Sequence, residues 1–466
     1  MSINQQHSHA QWGSRMGFIL AAVGSAVGLG NIWKFPYMVG QGGGSAFVFT
    51  YLICIAVVGF PILVAEWLIG RRGQSNPIAA MSSAAEDNLR PKAWAVFGVS
   101  GVLGAFLILS FYSVIGGWAL NYIMQVGSGH FNGMNSEMVG NSFGAMLASP
   151  QELLTWHSAF MALTIIIVAM GVSGGLERAA KFLMPLLGIC LLILVGYGFF
   201  SGGMGQAVDY LFTPNWGAIQ KDTILSALGH AFFTLSLGMG IMMSYGSYLG
   251  REVNLLRTAS VVIIMDTVIA LIAGLAIFPI VFANGLPTNE GPGLIFTTLP
   301  IAFGNISGGL ILGMLFFVLL TFAALTSAIS LMEPVVEMLE EKTPLNRVAA
   351  TIVGGLGTWA LGIAALLSFN RWSEIKLFDL NIFDLLDTVT AKFMLPITGL
   401  GIIIFFGWFM RQQSIKDELQ LRGFAWALWI FVVRFVAPIA VLAIFANQLG
   451  WLDWLWAMLD SSTATA

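Results

Sequence analysis

The chain has 466 residues, of which 57% are hydrophobic, 12% aromatic and only 9% charged, and it contains 54 glycines. Soluble domains carry about a quarter charged residues, so this composition excludes a soluble enzyme, a disordered chain and a secreted disulfide scaffold. A formal net charge of −3, with lysine and arginine dispersed along the chain, speaks against a nucleic-acid partner.

Residues 1–15 are polar, and no cleavage-site pattern follows the first apolar block, so that block reads as a retained helix rather than a signal peptide. Crossing a bilayer takes roughly 20 apolar residues. Blocks of that kind lie near 16–40, 46–70, 94–126, 154–172, 179–201, 225–249, 258–284, 306–340, 348–368, 380–410 and 424–449. Their apolar residues are continuous rather than alternating, which favours helices over a β-barrel. Cys54 and Cys190 fall inside apolar blocks and read as buried small hydrophobes.

With residue 1 in the cytoplasm, that side holds Arg15, Arg71, Arg72, Arg90, Lys92, Arg178, Lys181, Arg251, Arg257, Lys342, Arg347, Arg411, Lys416 and Arg422. The opposite side holds Lys221, Arg371 and Lys376. Fourteen against three places the N-terminus inside, and eleven spans then place the C-terminus outside. The tail, 449–466, carries Trp451, Trp454 and Trp456, which suits an interfacial anchor. Arg434, inside the eleventh block, has no evident role in the sequence.

Two blocks are interrupted by polar and glycine residues. The first reads Gly24-Ser25-Ala26-Val27-Gly28-Leu29-Gly30-Asn31, and the sixth reads Phe232-Phe233-Thr234-Leu235-Ser236-Leu237-Gly238-Met239-Gly240. Irregular backbone persists at membrane depth only where it lines a cavity or a ligand. The two breaks occupy matching positions if spans 1–5 and 6–10 form two halves of opposite topology, and paired broken helices of that kind mark a transporter's central site. Glycines alone would more often serve close helix packing.

The stretches Trp12-Gly-Ser-Arg15, Ala26-Val-Gly-Leu-Gly-Asn-Ile-Trp-Lys-Phe-Pro-Tyr37 and Gly42-Gly-Gly-Ser-Ala-Phe47 carry a family resemblance. So do Gly59-Phe-Pro-Ile-Leu-Val-Ala-Glu-Trp-Leu-Ile-Gly-Arg71, Ala231-Phe-Phe-Thr-Leu-Ser-Leu-Gly238 and Ala323-Ala-Leu-Thr-Ser327. With these motifs the chain resembles the neurotransmitter:sodium symporter family, whose bacterial members carry amino acids. The resemblance implies an all-α polytopic membrane protein of the leucine-transporter fold, with eleven transmembrane helices and a 5+5 inverted repeat in which helices 1 and 6 are unwound. It implies one transporter domain over 1–466, with repeat one at about 12–202, repeat two at about 222–411, and an extra helix 424–449 followed by the amphipathic tail.

Sodium is a hard cation that takes oxygen ligands, and the resemblance implies two sites for it. One uses Gly24, Val27, Ala323, Thr326 and Ser327. The other uses Ala26, Asn31, Thr234, Asp266 and the substrate's own carboxylate. Asp266 stands where better-known members carry a neutral amide, and an aspartate within a span is a functional hypothesis by default. Eukaryotic members bind chloride nearby through residues that map to Tyr51, His230, Thr234 and Ala270. Ala270 lacks the hydroxyl chloride would use, so no chloride requirement is expected and the Asp266 charge substitutes for the anion. His230 reads first as a hydrogen-bonded core histidine, with protonation beside Asp266 as the alternative.

The resemblance implies that an amino acid's carboxylate meets Leu29, Gly30 and the Tyr112 hydroxyl, where a half-helix N-terminus favours negative charge. The ammonium would meet carbonyls of Ala26, Phe233 and Thr234. Ile108, Phe233, Ser236, Met239, Ser327 and Leu331 would line a mainly apolar side-chain subsite. No acidic residue replaces Ser25 or Ala26, where family members for monoamines carry an aspartate, which favours a carboxylate-bearing substrate, and the apolar subsite implies a neutral, hydrophobic or aromatic amino acid. Phe233 and Tyr112 form the expected outer lid, with Lys34 and Asp387 as the outer ion pair. His9 and Glu341 take the places of the inner pair, and Trp12 and Tyr248 plug that side. Glu66 in the second span is expected to support the unwound sixth.

Sodium-coupled amino acid import by alternating access, in a bacterial inner membrane and as a monomer or weak homodimer, is therefore the expected function. A transporter of some other small solute and a non-transporting sensor of the same fold are the alternatives. No nucleotide-cradling loop or zinc-type histidine pair is present to make it an enzyme.

Overall fold

The structure is a computed structural model and describes residues 11–288, 294–448 and 450–451. His9, Trp454 and Trp456 lie outside the described residues. Regular secondary structure among the described residues is helical, with one isolated bridge between Leu377 and Leu380. Among the described residues, nine helices are long and apolar enough to cross a membrane: Ser45–Gly73, Lys92–Gly127, Pro150–Ala169, Val172–Phe200, Leu255–Ala283, Gly309–Lys342, Arg347–Leu367, Ile382–Phe409 and Gly423–Asn447. The pair Arg15–Ala26 and Gly30–Gln41, bent by 46°, adds a tenth. The sixth block is split into Lys221–Thr234 and Ile241–Ser247. Against the expected eleven spans, up to ten reach membrane length among the described residues, and the sixth block is interrupted.

Several helices begin where a side chain can satisfy the orphan N–H groups of the first turn. Ser14, Ser149, Asn254, Asn346 and Asn381 each accept a backbone N–H at the start of the helix that follows. Apolar residues turned away from the bundle, such as Phe182, Leu192, Phe199 and Ile439, are more than 50% exposed and form the lipid-facing surface.

Packing sorts the spans into groups. The third and eighth cross at the centre with the fourth and ninth against them. The second packs along both halves of the sixth, and the seventh lies against the first and second. The fifth span touches the first, seventh and eighth and so bridges the groups.

Arg434 finds its explanation here. The tenth and eleventh spans each contain a π-helical turn, Phe405–Phe409 and Val432–Val436, and the two turns pack together. A π turn widens the helix and disturbs its regular hydrogen-bond ladder. The Arg434 Nε–H donates to the Gly407 carbonyl at 2.7 Å, and the Trp408 indole N–H donates to the Arg434 carbonyl at 3.2 Å. The guanidinium also lies 5.3 Å from the centre of the Trp408 ring. The sequence shows a lone cation in a span; folding turns it into a reciprocal clamp between two π turns. Arg434→Ala should lower the thermal midpoint of the solubilised protein through a loss of about 1.5–3 kcal/mol, and Trp408→Phe should lower it less. An Arg434→Ala protein that melts with the parent contradicts the clamp.

Candidate functional site

The break in the first span leaves Ala26 as the last residue of one helix and Gly30 as the first of the next. The break in the sixth runs over Leu235–Gly240, with Ser236, Gly238 and Gly240 at positive φ. Ser236 is a non-glycine residue at φ 54°, a conformation that persists only when its surroundings hold it. Its hydroxyl donates to the Ser25 carbonyl at 3.0 Å, and the Ser327 hydroxyl donates to the same carbonyl at 3.2 Å. Gly238, at φ 76°, has the Leu395 carbonyl oxygen 2.5 Å from where a Cβ would stand. Its N–H donates to Glu66 at 2.7 Å. Glu66 therefore supports the unwound sixth span, as the sequence led us to expect.

Asn31, Thr234, Asp266 and Tyr51 converge beside these breaks, all buried. The Asn31 amide donates to the Asp266 carboxylate at 2.8 Å and to its carbonyl at 3.1 Å, and the Tyr51 hydroxyl donates to the other carboxylate oxygen at 3.1 Å. The Thr234 hydroxyl faces the Asn31 side-chain oxygen at 3.2 Å and the two Asp266 oxygens at 3.1 and 3.3 Å. One hydroxyl proton can satisfy only one of those three acceptors. The surplus of oxygen lone pairs is the donor chemistry a hard cation uses.

A second oxygen group joins the first and eighth spans. The Thr326 hydroxyl lies 3.0 Å from the Ala323 carbonyl, 3.2 Å from that of Phe322 and 3.5 Å from that of Val27. A Cβ at Gly24 would stand 3.3 Å from the Thr326 Cβ, so Gly24 belongs to the same group. Gly24, Val27, Ala323 and Thr326, scattered over three hundred positions of sequence, therefore lie together, while the hydroxyl of the adjacent Ser327 turns to the Ser25 carbonyl.

Between the two groups lies a small cavity of ≈ 20 Å³, lined by Ser25, Ala26, Gly28, Gly30, Ile108, Tyr112, Phe233, Ser236, Met239, Ser327 and Leu331. Nine of the eleven expected substrate residues line it. Leu29 instead lines the larger aromatic cavity, and Thr234 turns to Asn31 and Asp266. Ser25 and Gly28 were not anticipated. A Cβ at Gly28 would stand 2.1 Å from the Ser327 Oγ, so only glycine leaves this space open. The Leu29 N–H donates to the Tyr112 hydroxyl oxygen at 3.2 Å, which brings together two groups expected to meet a carboxylate.

A family model described as the sodium:neurotransmitter symporter family matches residues 9–132 and 148–453. The chain belongs to this family. It is 38% identical over 444 residues to a Bacillus subtilis (strain 168) protein named an uncharacterized sodium-dependent transporter, YhdH, covering 94% of this chain and 98% of that one. An uncharacterized sodium-dependent transporter of Haemophilus influenzae is 35% identical over 447 residues, with the same coverage of 94% and 98%. The crystal structure of MhsT in complex with L-phenylalanine matches with a TM-score of 0.86 at 44% identity, covering 94% of this chain and 99% of that chain. This symporter is accordingly an integral membrane transporter of the leucine-transporter fold, and not an enzyme.

Outside the symporter's central cavity, Phe233 and Tyr112 separate it from an outer cavity of ≈ 310 Å³ walled by aromatic rings, with Lys34, Asp384 and Asp387 among its lining. The Lys34 ammonium sits 4.2 Å from the centre of the Phe233 ring. Lys34 and Asp387 line the same cavity but form no ion pair among the described residues. Where the sequence leads us to expect the inner plug, the Trp12 indole donates to the Tyr245 carbonyl at 3.2 Å, and its ring packs on those of Phe18, Tyr245 and Tyr248. The Tyr248 hydroxyl donates to Glu333 at 2.7 Å, and Glu333 pairs with Arg347 at 2.5 Å. Sequence reading missed that buried pair, because its partners become neighbours only when the eighth and ninth spans pack. Glu341 accepts from the Asn76 backbone N–H at 3.1 Å, and from the Asn76 amide and the Ser75 hydroxyl.

His230 departs from expectation. It is buried among the rings of Phe35, Phe47 and Tyr51, with centroids 5.2–6.1 Å away, and neither ring nitrogen has a hydrogen-bond partner among the described residues. The hydrogen-bonded core histidine read from the sequence is thus corrected to an aromatic-packed one.

The tight cavity carries a prediction. If this cavity is the substrate site proposed below, Gly28→Ala should fold but weaken substrate binding by about 10–100-fold, the cost of forcing one methyl into a packed site. Equilibrium binding of a radiolabelled amino acid to the purified protein checks this, and unchanged affinity contradicts the cavity assignment.

Proposed function

We propose that this chain is a sodium-coupled symporter that imports a neutral, hydrophobic or aromatic amino acid by alternating access. The observation that carries the reading is the pair of oxygen-rich groups flanking one small cavity at the breaks of the first and sixth spans. Each group offers more acceptor oxygens than protons, which suits a sodium ion, and two ions are proposed. Gly24, Val27, Ala323, Thr326 and Ser327 would take one. Ala26, Asn31, Thr234 and Asp266 would take the other, together with the substrate carboxylate. A ligand shared in that way makes ion and substrate binding reinforce each other.

The apolar lining supports the substrate class. Ile108, Phe233, Met239 and Leu331 supply apolar walls, and no acidic side chain lines the cavity to hold a second positive charge. The relative crystallised with L-phenylalanine points the same way. Asp266 already places a carboxylate beside Tyr51 and Thr234, where an added anion would be repelled, so no chloride requirement is proposed. The positive-inside count supports a cytoplasmic N-terminus, and the family resemblance of a chain with short loops supports a bacterial inner membrane. Each sodium charge moved inward is worth about 2.3 kcal/mol per 100 mV, so two ions could concentrate a zwitterion roughly a thousandfold.

The test is uptake of radiolabelled tryptophan, leucine and alanine into proteoliposomes, with sodium or potassium outside and chloride replaced by gluconate. We expect uptake that needs sodium, survives without chloride, and is lost in Asp266→Ala and in Thr326→Ala. Strict chloride dependence contradicts the role given to Asp266. Sodium-dependent binding of another solute, with no amino acid taken up, contradicts the substrate class.

A further inference from the structure

The N-terminal segment is held at two places. Trp12 bonds and packs onto the inner half of the sixth span. The other hold is Glu177, near the start of the fifth span and buried. Its carboxylate accepts the Gly13 backbone N–H at 2.7 Å and the Ser14 hydroxyl at 2.8 Å, just where the first helix begins. A Cβ at Gly17 would stand 2.1 Å from the Glu177 Oε1, so glycine there lets the carboxylate lie against the helix's first turn. The first and sixth spans share one packing group, so the Trp12 contact can survive a movement of that group. The Glu177 contact runs to the bridging fifth span and cannot.

We propose that the Glu177 carboxylate is the inner latch of the transport cycle: it holds Gly13 and Ser14 against the fifth span and must release them before the inner half of the first span can swing away. This rests on the symport reading above. Two further observations fit the latch. Lys181, one turn on, contacts the same carboxylate at 2.6 Å, so Glu177 keeps a counter-charge when the segment leaves. A buried carboxylate left unpaired would make release far costlier. Met184, two turns on along the same helix, has its sulfur 3.2 Å from where a Cβ on Gly24 would stand. One face of the fifth span therefore touches both the latch and a proposed sodium group. Glu177 acts through the first span and is a positioning residue.

Hydrogen–deuterium exchange of the purified full chain, read over residues 12–26 with and without sodium, tests the latch. Glu177→Gln should speed exchange of this segment about tenfold in sodium-free buffer, the loss expected for a charge-assisted bond. Ser14→Ala should do so from the other partner, which keeps the test open if Glu177→Gln does not fold. Lys181→Met should slow it, because release then strands the carboxylate. Added sodium should restore protection in Glu177→Gln at a higher midpoint concentration than in the parent, an effect that a purely structural role would not produce. Parent-like exchange in both Glu177→Gln and Ser14→Ala overturns the proposal, as does faster exchange in Lys181→Met. A parent whose exchange ignores sodium counts against symport, whereas the sodium-free comparison still decides the latch.

Discussion

A backbone carbonyl inside a bilayer has no water to satisfy it, so every break in a spanning helix must be met by another group of the protein or by a ligand. That constraint organises this molecule. The breaks of the first and sixth spans lie against each other, and hydroxyls from neighbouring elements meet the opened turns. Ser236 and Ser327 reach the Ser25 carbonyl, Thr326 lies near that of Val27, and Glu66 receives the Gly238 N–H. Asp266, Asn31 and Thr234 make a second meeting point with more acceptors than protons. In the proposed reading, this surplus of acceptor oxygens, a defect in an ordinary span, serves as the donor set for a cation.

On the proposed pathway, the two ends are closed by different chemistry. Outside, Phe233 and Tyr112 lie between the small cavity and the larger aromatic one, with Lys34 resting on the Phe233 ring. Inside, closure is more polar. Trp12 sits on two tyrosines, Tyr248 donates to the Glu333–Arg347 pair, and Glu177 grips the start of the first helix. Lysine at position 34 offers a point charge rather than a bidentate fork, which suits a contact with a ring face better than a fixed carboxylate pair. Glu341 meanwhile supports the loop after the second span through Asn76.

Much of the fold was legible in the sequence because the signals were local. Long apolar runs mark the spans, and the glycines at 28, 30, 238 and 240 mark the breaks. Thr326, Ser327, Asn31 and Asp266 could be named in advance because polar groups stand out in apolar blocks and matched a family motif. What escaped notice depends on distant partners. Arg434 makes sense only once the π turns of the tenth and eleventh spans meet, and Glu177 only once the first helix lies against the fifth. Gly28 is required by the Ser327 hydroxyl on the eighth span, a contact no local pattern encodes. His230 misled for the opposite reason. Its polarity implied hydrogen bonds, yet three aromatic rings enclose it.

The central claim is that the oxygen groups at the breaks bind sodium and share their occupancy with the substrate. Equilibrium binding of radiolabelled L-phenylalanine across a sodium titration, in chloride-free buffer with purified protein, tests it most directly. The account predicts that amino acid affinity climbs as sodium is added, and that a matching titration of sodium at fixed amino acid shows the same factor in reverse. Amino acid affinity that is the same with and without sodium would contradict it.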